Sequence, residues 1–222
     1  MREWLDNLAG TGVNKKMKVL GISASPRAQS NSDILLRKSL EGAKSAGAQA
    51  EYLRLCDLNI QPCTECNACY STGVCPIKDD FQIVMQKMLL CDRLILATPI
   101  FFMTVCSQAK ILIDRCQCLW AQKYVLKKPL AETADRDRRA MVIAVGGTKS
   151  KKMFDSIRLT MKYFLDVLDM YYAVNLFVNK VDMPGQIEEH QKALNEAFRL
   201  GAELACADAS RPEKCTDVEL FS

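Results

Sequence analysis

Four cysteines fall within thirteen residues of the chain: Cys63, Cys66, Cys69 and Cys75. Their spacing is C-x2-C-x2-C-x5-C, in a turn-rich stretch that begins and ends with proline. Thiolates at successive x2 spacings can surround one compact inorganic core, and a fourth thiolate a few residues later can complete the coordination. The spacing therefore points first to electron-transfer chemistry.

Three occupants of this motif remain open. Bacterial ferredoxins use a C-x2-C-x2-C run and a later cysteine followed by proline, as in Cys75-Pro76, which favours a 4Fe-4S cluster. Structural zinc more often uses two separated C-x2-C pairs. Thiols without a metal are the third possibility. Cys75 is the least certain ligand, because the fourth ligand of a ferredoxin cluster can come from elsewhere in the chain.

A second group of residues suits an anion. The sequence SASPRAQSNS, residues 23–32, follows an apolar run and opens an amphipathic segment, so its amides and the helix dipole favour negative charge. Hydroxyls of Ser25, Ser30 and Ser32 can donate to phosphate oxygens, and Arg27 adds a fork of donors. Neither G-x-G-x-x-G nor a Walker motif is present, so a terminal monophosphate such as that of FMN fits better than a dinucleotide. An ordinary serine-rich turn is the alternative.

A third segment, TPIFFMT at residues 98–104, is rich in aromatic and flexible apolar side chains. Amides after Pro99 could contact the edge of a flavin, and Phe101 or Phe102 could flank its rings. Gly146-Gly147 would allow a backbone to approach such a ring closely. Packing of a strand end is the better explanation of the segment when it is taken alone, but a neighbouring phosphate loop favours the flavin.

Strand and helix patterns alternate along the chain. Strands are predicted at residues 18–23, 51–55, 93–98, 140–145 and 171–178. This alternation predicts an α/β fold with a doubly wound, five-stranded parallel sheet in the flavodoxin-like order 2-1-3-4-5, within three α/β/α layers. Ligands of such sheets bind at the carboxyl ends of the strands, where the serine loop, the TPIFFMT loop and Gly146-Gly147 would meet.

Composition limits the function classes. The chain has 222 residues, 49% of them hydrophobic, and a net charge of +4, which is too mild to indicate nucleic-acid binding. The longest apolar run, residues 94–106, is too short to span a bilayer, so no membrane association is expected. Eleven cysteines, an odd number without a preceding signal peptide, favour the reducing cytoplasm. Only one histidine, His190, is present, which argues against Ser–His and Cys–His catalysis.

One main domain is expected. We predict an N-terminal extension at residues 1–16 and an FMN-binding domain at 17–206 that carries the cysteine-rich loop 62–76. Residues 207–222 are polar and are predicted to form a frayed tail.

Together, SASPRAQSNS, CTECNACYSTGVCPIKDD and TPIFFMTVCSQAKILIDR resemble the NADPH-dependent FMN reductases, and more narrowly their iron–sulfur flavoprotein branch. The resemblance extends from Met17 to the last helix. It implies a flavodoxin-like fold, bound FMN, homodimers that can pair into tetramers, and a 4Fe-4S cluster on Cys63, Cys66, Cys69 and Cys75. Relatives often carry tyrosine at position 101, glycine or an aromatic residue at 103, and serine at 106.

The resemblance also assigns site residues. It implies phosphate contacts from Ser23, Ser25, Arg27, Ser30, Asn31 and Ser32. It implies isoalloxazine and ribityl contacts from Pro99, Ile100, Phe101, Phe102 and Met103, with Gly146 and Gly147.

The expected function is a flavin oxidoreductase that couples one-electron and two-electron transfer. Its electrons would come from a ferredoxin-like donor or NAD(P)H and pass to a small acceptor such as a flavin or quinone. The cysteine loop is expected at a subunit interface near a flavin. One alternative is an electron carrier without substrate chemistry of its own. The other is a cluster-free reductase whose cysteines hold zinc or nothing.

Overall fold

The computed structural model describes residues 16–134, 136–207 and 209–221. Its strands are β1 (Lys18–Ser23), β2 (Gln49–Arg54), β3 (Arg93–Phe101), β4 (Thr104–Val105), β5 (Arg139–Val145), β6 (Tyr171–Val178) and β7 (Thr216–Leu220). Its α-helices are α1 (Asn31–Ser45), α2 (Cys69–Thr72), α3 (Phe81–Leu90), α4 (Ser107–Arg115), α5 (Gln117–Trp120), α6 (Asp155–Val167) and α7 (Gln191–Ala205). Apart from residue 16, the predicted N-terminal extension lies outside the described residues.

The sheet is larger than predicted. Six parallel strands lie in the order β2-β1-β3-β5-β6-β7, and the short β4 pairs antiparallel with the end of β3. The predicted count of five strands is therefore wrong. Strand β7 comes from the segment expected to fray. It is held by Arg158, which forms ion pairs with Asp217 at 2.8 Å and Glu219 at 2.5 Å.

Helices cover both faces of the sheet. Alternate strand residues enter opposite cores, so that Val19 and Ile95 face α1 and α7, whereas Leu20 and Leu94 face α3, α4 and α6. All seven residues of β5 are buried, as expected for a central parallel strand covered on both sides. Within the described part of the chain, no helix has the length and apolar character needed to cross a membrane.

Helices α1 and α7 touch through glycines. A Cβ built on Gly42 would lie 2.0 Å from the carbonyl oxygen of Phe198, and one on Gly201 would lie 1.9 Å from that of Ser39. The two backbones are thus in direct contact, which no larger residue allows. Because α1 begins at the serine loop, this contact fixes the position of that loop relative to the sheet.

Candidate functional site

A cleft of about 130 Å³ opens at the carboxyl ends of β1, β3 and β5. The segments that follow these neighbouring parallel strands meet there, together with the segment after β6. Its lining residues are Ser25, Pro26, Arg27, Ser30, Asn31, Ser32, Pro99, Ile100, Phe101, Val145, Gly146, Gly147, Val181 and Asp182. The cleft lies where ligands of open α/β sheets bind.

Ten of the thirteen residues assigned to cofactor binding line this cleft. The other three are Ser23, Phe102 and Met103. Ser23 is completely buried in β1, below the loop. Phe102 and Met103 form the turn between β3 and β4 and are exposed to solvent. Their predicted contacts with a flavin remain predictions.

Four lining residues were not predicted: Pro26, Val145, Val181 and Asp182. Val181 and Asp182 follow β6 and belong to no glycine-rich or serine-rich motif. The only available signal was the position of β6 beside β5, which brings the end of β6 to the same edge of the sheet.

The serine loop is ordered by its own hydroxyls. Ser30 caps α1, since its Oγ accepts from the Asp33 amide at 3.3 Å, and it lies 3.2 Å from the Oγ of Ser32. The Oγ of Ser25 accepts from the Arg27 amide at 3.2 Å. A hydroxyl that accepts a hydrogen bond keeps its own proton for donation. These hydroxyls lie at the amino end of a 15-residue helix, whose dipole favours an anion.

Charge in the cleft is divided between two residues. Arg27 is exposed, and its guanidinium forms no hydrogen bond or ion pair with any residue that the structure describes. Asp182 lies on the Gly147 side, because a Cβ on Gly147 would be 2.8 Å from the Asp182 Cγ. An anionic group therefore fits beside Arg27, and groups that donate hydrogen bonds fit beside Asp182.

Asn31 joins two walls of the cleft. Its Nδ2 donates to the carbonyl oxygen of Met183 at 2.9 Å, and its Oδ1 accepts from the Ile187 amide at 3.2 Å. The side chain therefore connects α1 to the segment that carries Val181 and Asp182. This connection was not predicted, and the predicted phosphate contact of Asn31 stays a prediction.

A strained hairpin borders the cleft. Ile100 pairs with Val105 and Phe101 with Thr104, and the two residues between them have φ values of +48° and +64°. Such two-residue turns normally use Asn-Gly, because bulky side chains are disfavoured at positive φ. Here the residues are Phe102 and Met103, and the Ser156 hydroxyl donates to the Met103 carbonyl. Strain of this kind is often found at functional sites.

The motif cysteines line a second cavity, of about 350 Å³, which shares no lining residue with the first cleft. Its lining residues are Cys63, Thr64, Glu65, Cys66, Asn67, Cys69, Tyr70, Cys75, Pro76, Ile77, Asp114, Arg115, Gln117 and Cys118. In the described part of the chain, no three His, Cys, Asp or Glu side chains are grouped so that they could hold a metal ion. The structure thus brings all four cysteines to one cavity without forming a single-ion site.

A buried ion pair fastens the cysteine loop at both ends. Arg115, at the end of α4, donates to the two carboxylate oxygens of Asp79 at 2.6 and 3.1 Å, and both side chains are buried. The same guanidinium donates to the Gln61 carbonyl at 2.7 Å and to the Ile77 carbonyl at 3.3 Å. Gln61 precedes the first motif cysteine and Ile77 follows the last, so the loop is closed at its base.

Burial and hydrogen bonding change the pKa values of Asp79 and Cys69. Burial alone would raise the pKa of Asp79, but hydrogen bonds from Arg115 and from the amides of Gln61 and Phe81 outweigh it and hold the pKa below its ordinary value. Burial raises the pKa of Cys69, and the nearby thiols add to this increase. In the absence of a metal, the buried thiol of Cys69 is therefore protonated at neutral pH.

Comparison with known proteins identifies the family. Residues 17–178 match the family model described as NADPH-dependent FMN reductase. The chain belongs to this family. The predicted family is therefore confirmed, and its flavodoxin-like fold agrees with the parallel sheet.

Iron-sulfur flavoproteins are among the chain's relatives. One from Methanocaldococcus jannaschii is 41% identical over 103 residues, which cover 46% of this chain and 53% of the relative. A second from the same organism is 32% identical over 150 residues, which cover 67% of this chain and 71% of the relative. The match to the first relative thus spans about half of that protein's length.

Solved structures agree on the fold. A protein described as flavone reductase superposes with a TM-score of 0.64 at 23% identity, covering 88% of this chain and 66% of that one. An NAD(P)H:quinone oxidoreductase from Methanothermobacter marburgensis superposes with a TM-score of 0.62 at 17% identity, covering 85% of this chain and 97% of that one.

Proposed function

We propose that the chain is a flavin-dependent oxidoreductase that binds FMN in the cleft at the ends of β1, β3 and β5. The observation that carries this proposal is the combination of Ser25, Arg27, Ser30 and Ser32 in and beside the loop that opens α1, with the Arg27 guanidinium unpaired among the described residues. A phosphate monoester there would meet a helix dipole, hydroxyl donors and one guanidinium. Membership of the FMN reductase family supports the same assignment.

The rest of the cleft suits the other parts of FMN. Asp182 can accept hydrogen bonds from ribityl hydroxyls, and Ile100 and Phe101 offer an apolar surface for a flat ring. Gly146 and Gly147 line the cleft with backbone alone, and Met153 packs against Gly146, since a Cβ there would lie 2.7 Å from the Met153 Sδ. Bound FMN supplies hydride acceptance and one-electron transfer. The protein's residues bind and orient it and limit access of water.

NAD(P)H is the electron donor that the family suggests, and a ferredoxin-like protein is the alternative donor. The acceptor would be a small molecule such as a flavin or quinone. Steady-state turnover of NAD(P)H with such an acceptor separates an enzyme from an electron carrier without substrate chemistry.

We also propose that the cysteine cavity holds a 4Fe-4S cluster. A single ion requires thiolates within about 2.3 Å of one point, whereas a cube of iron and sulfide spreads its ligands over a larger volume. Four thiols that line one cavity of about 350 Å³ offer the number of ligands that such a cluster takes. Such a cluster supplies one-electron transfer. The relatives named iron-sulfur flavoproteins support this choice.

We propose that two copies pair with the cysteine cavity at their interface, near a flavin. Large apolar side chains beside the cysteine cavity are exposed, among them Tyr70, Val74 and Tyr124. These side chains would lie at the interface of a homodimer, or of a homotetramer built from two such dimers. Light scattering of the holoprotein measures the oligomeric state, and a monomer would contradict this proposal.

Anaerobic isolation and reconstitution test the cluster. We expect one FMN and about four iron and four sulfide per chain. The absence of three-residue metal groups in the described part of the chain favours one competitor, a cluster-free reductase. Protein that binds FMN but holds zinc or no metal after reconstitution would establish that competitor.

Replacing Cys66 by alanine is expected to abolish iron binding and to leave FMN binding unchanged. Cys66 is exposed and lines the cysteine cavity but not the FMN cleft, so the cleft is not disturbed. Iron, sulfide and flavin assays on the reconstituted variant measure both effects. Retention of iron at the wild-type level would refute the ligand assignment.

Replacing Arg27 by alanine is expected to weaken FMN binding about 10-fold to 100-fold, because a charge-assisted hydrogen bond contributes roughly 1.5–3 kcal/mol. Lys38→Ala is the matched control. It also removes one positive charge, but from a position on α1 that does not line the cleft. Fluorescence titration of apoprotein with FMN measures the affinities. Equal affinities of the two variants would place the phosphate elsewhere.

A further inference from the structure

Cys118 lies in the cysteine cavity although it belongs to no part of the cysteine motif. It is on α5, more than forty residues after Cys75, and its side chain is 2% exposed. Its Sγ donates to the Arg115 carbonyl at 3.4 Å and lies 3.9 Å from the Met85 Sδ. The thiol is thus placed at the cavity by the end of α4, the same element that closes the base of the loop.

Cys118 shares the lining of this cavity with the motif cysteines Cys69 and Cys75. Cys116 offers a contrast two residues earlier. It is equally buried, at 2% exposure, but it does not line the cavity. Burial alone therefore does not explain why Cys118 reaches this position.

Resting on the proposed cluster, we propose that the cavity offers five thiols and that Cys118 can serve as the fourth ligand in place of Cys75. Cys63, Cys66 and Cys69 would supply the other three ligands. The fourth position is the one at which ferredoxin-type motifs use a ligand from elsewhere in the chain. The exchange is not a redox step: the Cys118 thiol loses its proton to solvent on binding iron, and the released Cys75 thiolate takes one up.

Iron and sulfide assays on reconstituted variants test this exchange. We expect Cys75→Ala to retain at least half of the wild-type iron and sulfide. Removing both thiols, in Cys75→Ala/Cys118→Ala, should lower iron to the level of Cys66→Ala. The control Cys75→Ala/Cys116→Ala should match Cys75→Ala. Absorption and electron paramagnetic resonance spectra show whether the retained iron is in a cluster, and flavin content reports folding.

Two results would overturn the inference. One is a folded Cys75→Ala protein that binds FMN but holds as little iron as Cys66→Ala. The other is a double variant, Cys75→Ala/Cys118→Ala, that holds as much iron as Cys75→Ala. Should the alanine variants not fold, valine at positions 75 and 118 fills the space of the thiol without an atom that can bind iron, and the same comparison is made. A wild-type protein without iron would overturn the proposed cluster as well, so the two failures are distinguishable.

Discussion

Replacing Arg115 by methionine is expected to lower the free energy of unfolding by about 3–5 kcal/mol. The change leaves Asp79 buried without its cation, and it removes the hydrogen bonds to the carbonyls of Gln61 and Ile77. Methionine keeps much of the side-chain volume, so the cost comes from charge rather than from a cavity. Denaturant unfolding measures the loss.

Lys110→Met is the control for this variant. Lys110 is on the same helix and pairs with Asp114 at 2.8 Å, but both side chains are about half exposed. Exposed pairs of this kind contribute about 0.5 kcal/mol or less. Similar losses in the two variants would contradict the role assigned to the buried pair.

Acid should reduce the difference between wild type and Arg115→Met. The folded-state pKa of Asp79 is below its ordinary value, so its contribution to stability is complete above about pH 4 and is lost as the pH falls through that pKa. In the variant the carboxylate has no cation to lower its pKa. Unfolding free energies should therefore differ most at neutral pH and converge in acid.

Replacing Gly201 by alanine is expected to cost about 3 kcal/mol, although alanine forms helices better than glycine by about 1 kcal/mol. The new methyl group would lie 1.9 Å from the Ser39 carbonyl oxygen and 2.8 Å from its Cα, so α1 and α7 must separate. Because α1 carries the serine loop, FMN affinity should fall as well. Thermal unfolding and FMN titration measure the two effects.

Gly47→Ala provides the comparison for Gly201→Ala. No atom lies within 4 Å of a Cβ at Gly47, and its φ is +86°. The cost there is the backbone strain alone, about 1–2 kcal/mol, and FMN affinity should not change. If Gly201→Ala proves no more damaging than Gly47→Ala, close contact between the helices does not determine stability.

The buried strands could be predicted from sequence because their signal is local. Strands β3 and β5 are continuous apolar runs, and each was found with small shifts in its ends. Strand β7 was missed because Asp217 and Glu219 alternate with Val218 and Leu220 and make it appear polar. It depends on Arg158, about sixty residues away, and no local pattern reports such a partner.

The residues of the candidate site also fall into two groups, those that a local sequence motif shows and those that only the fold brings together. Serine, glycine and cysteine motifs could be read directly, since each places several chemically suited residues within a few positions. Asp182 and Cys118 could not, because each is a single residue that the fold brings to a cavity from a distant part of the chain. The connection from Asn31 to Met183 likewise joins residues that are 152 positions apart.

Both outer strands of the sheet carry ionised side chains held in local pairs. On β2, Glu51 pairs with Lys87 and Arg54 with Asp57, and β7 has its two acidic residues bound to Arg158. An incoming strand would have to desolvate these charges before it could extend the ladder. Extension of the sheet from either margin, including amyloid-like growth, is therefore disfavoured.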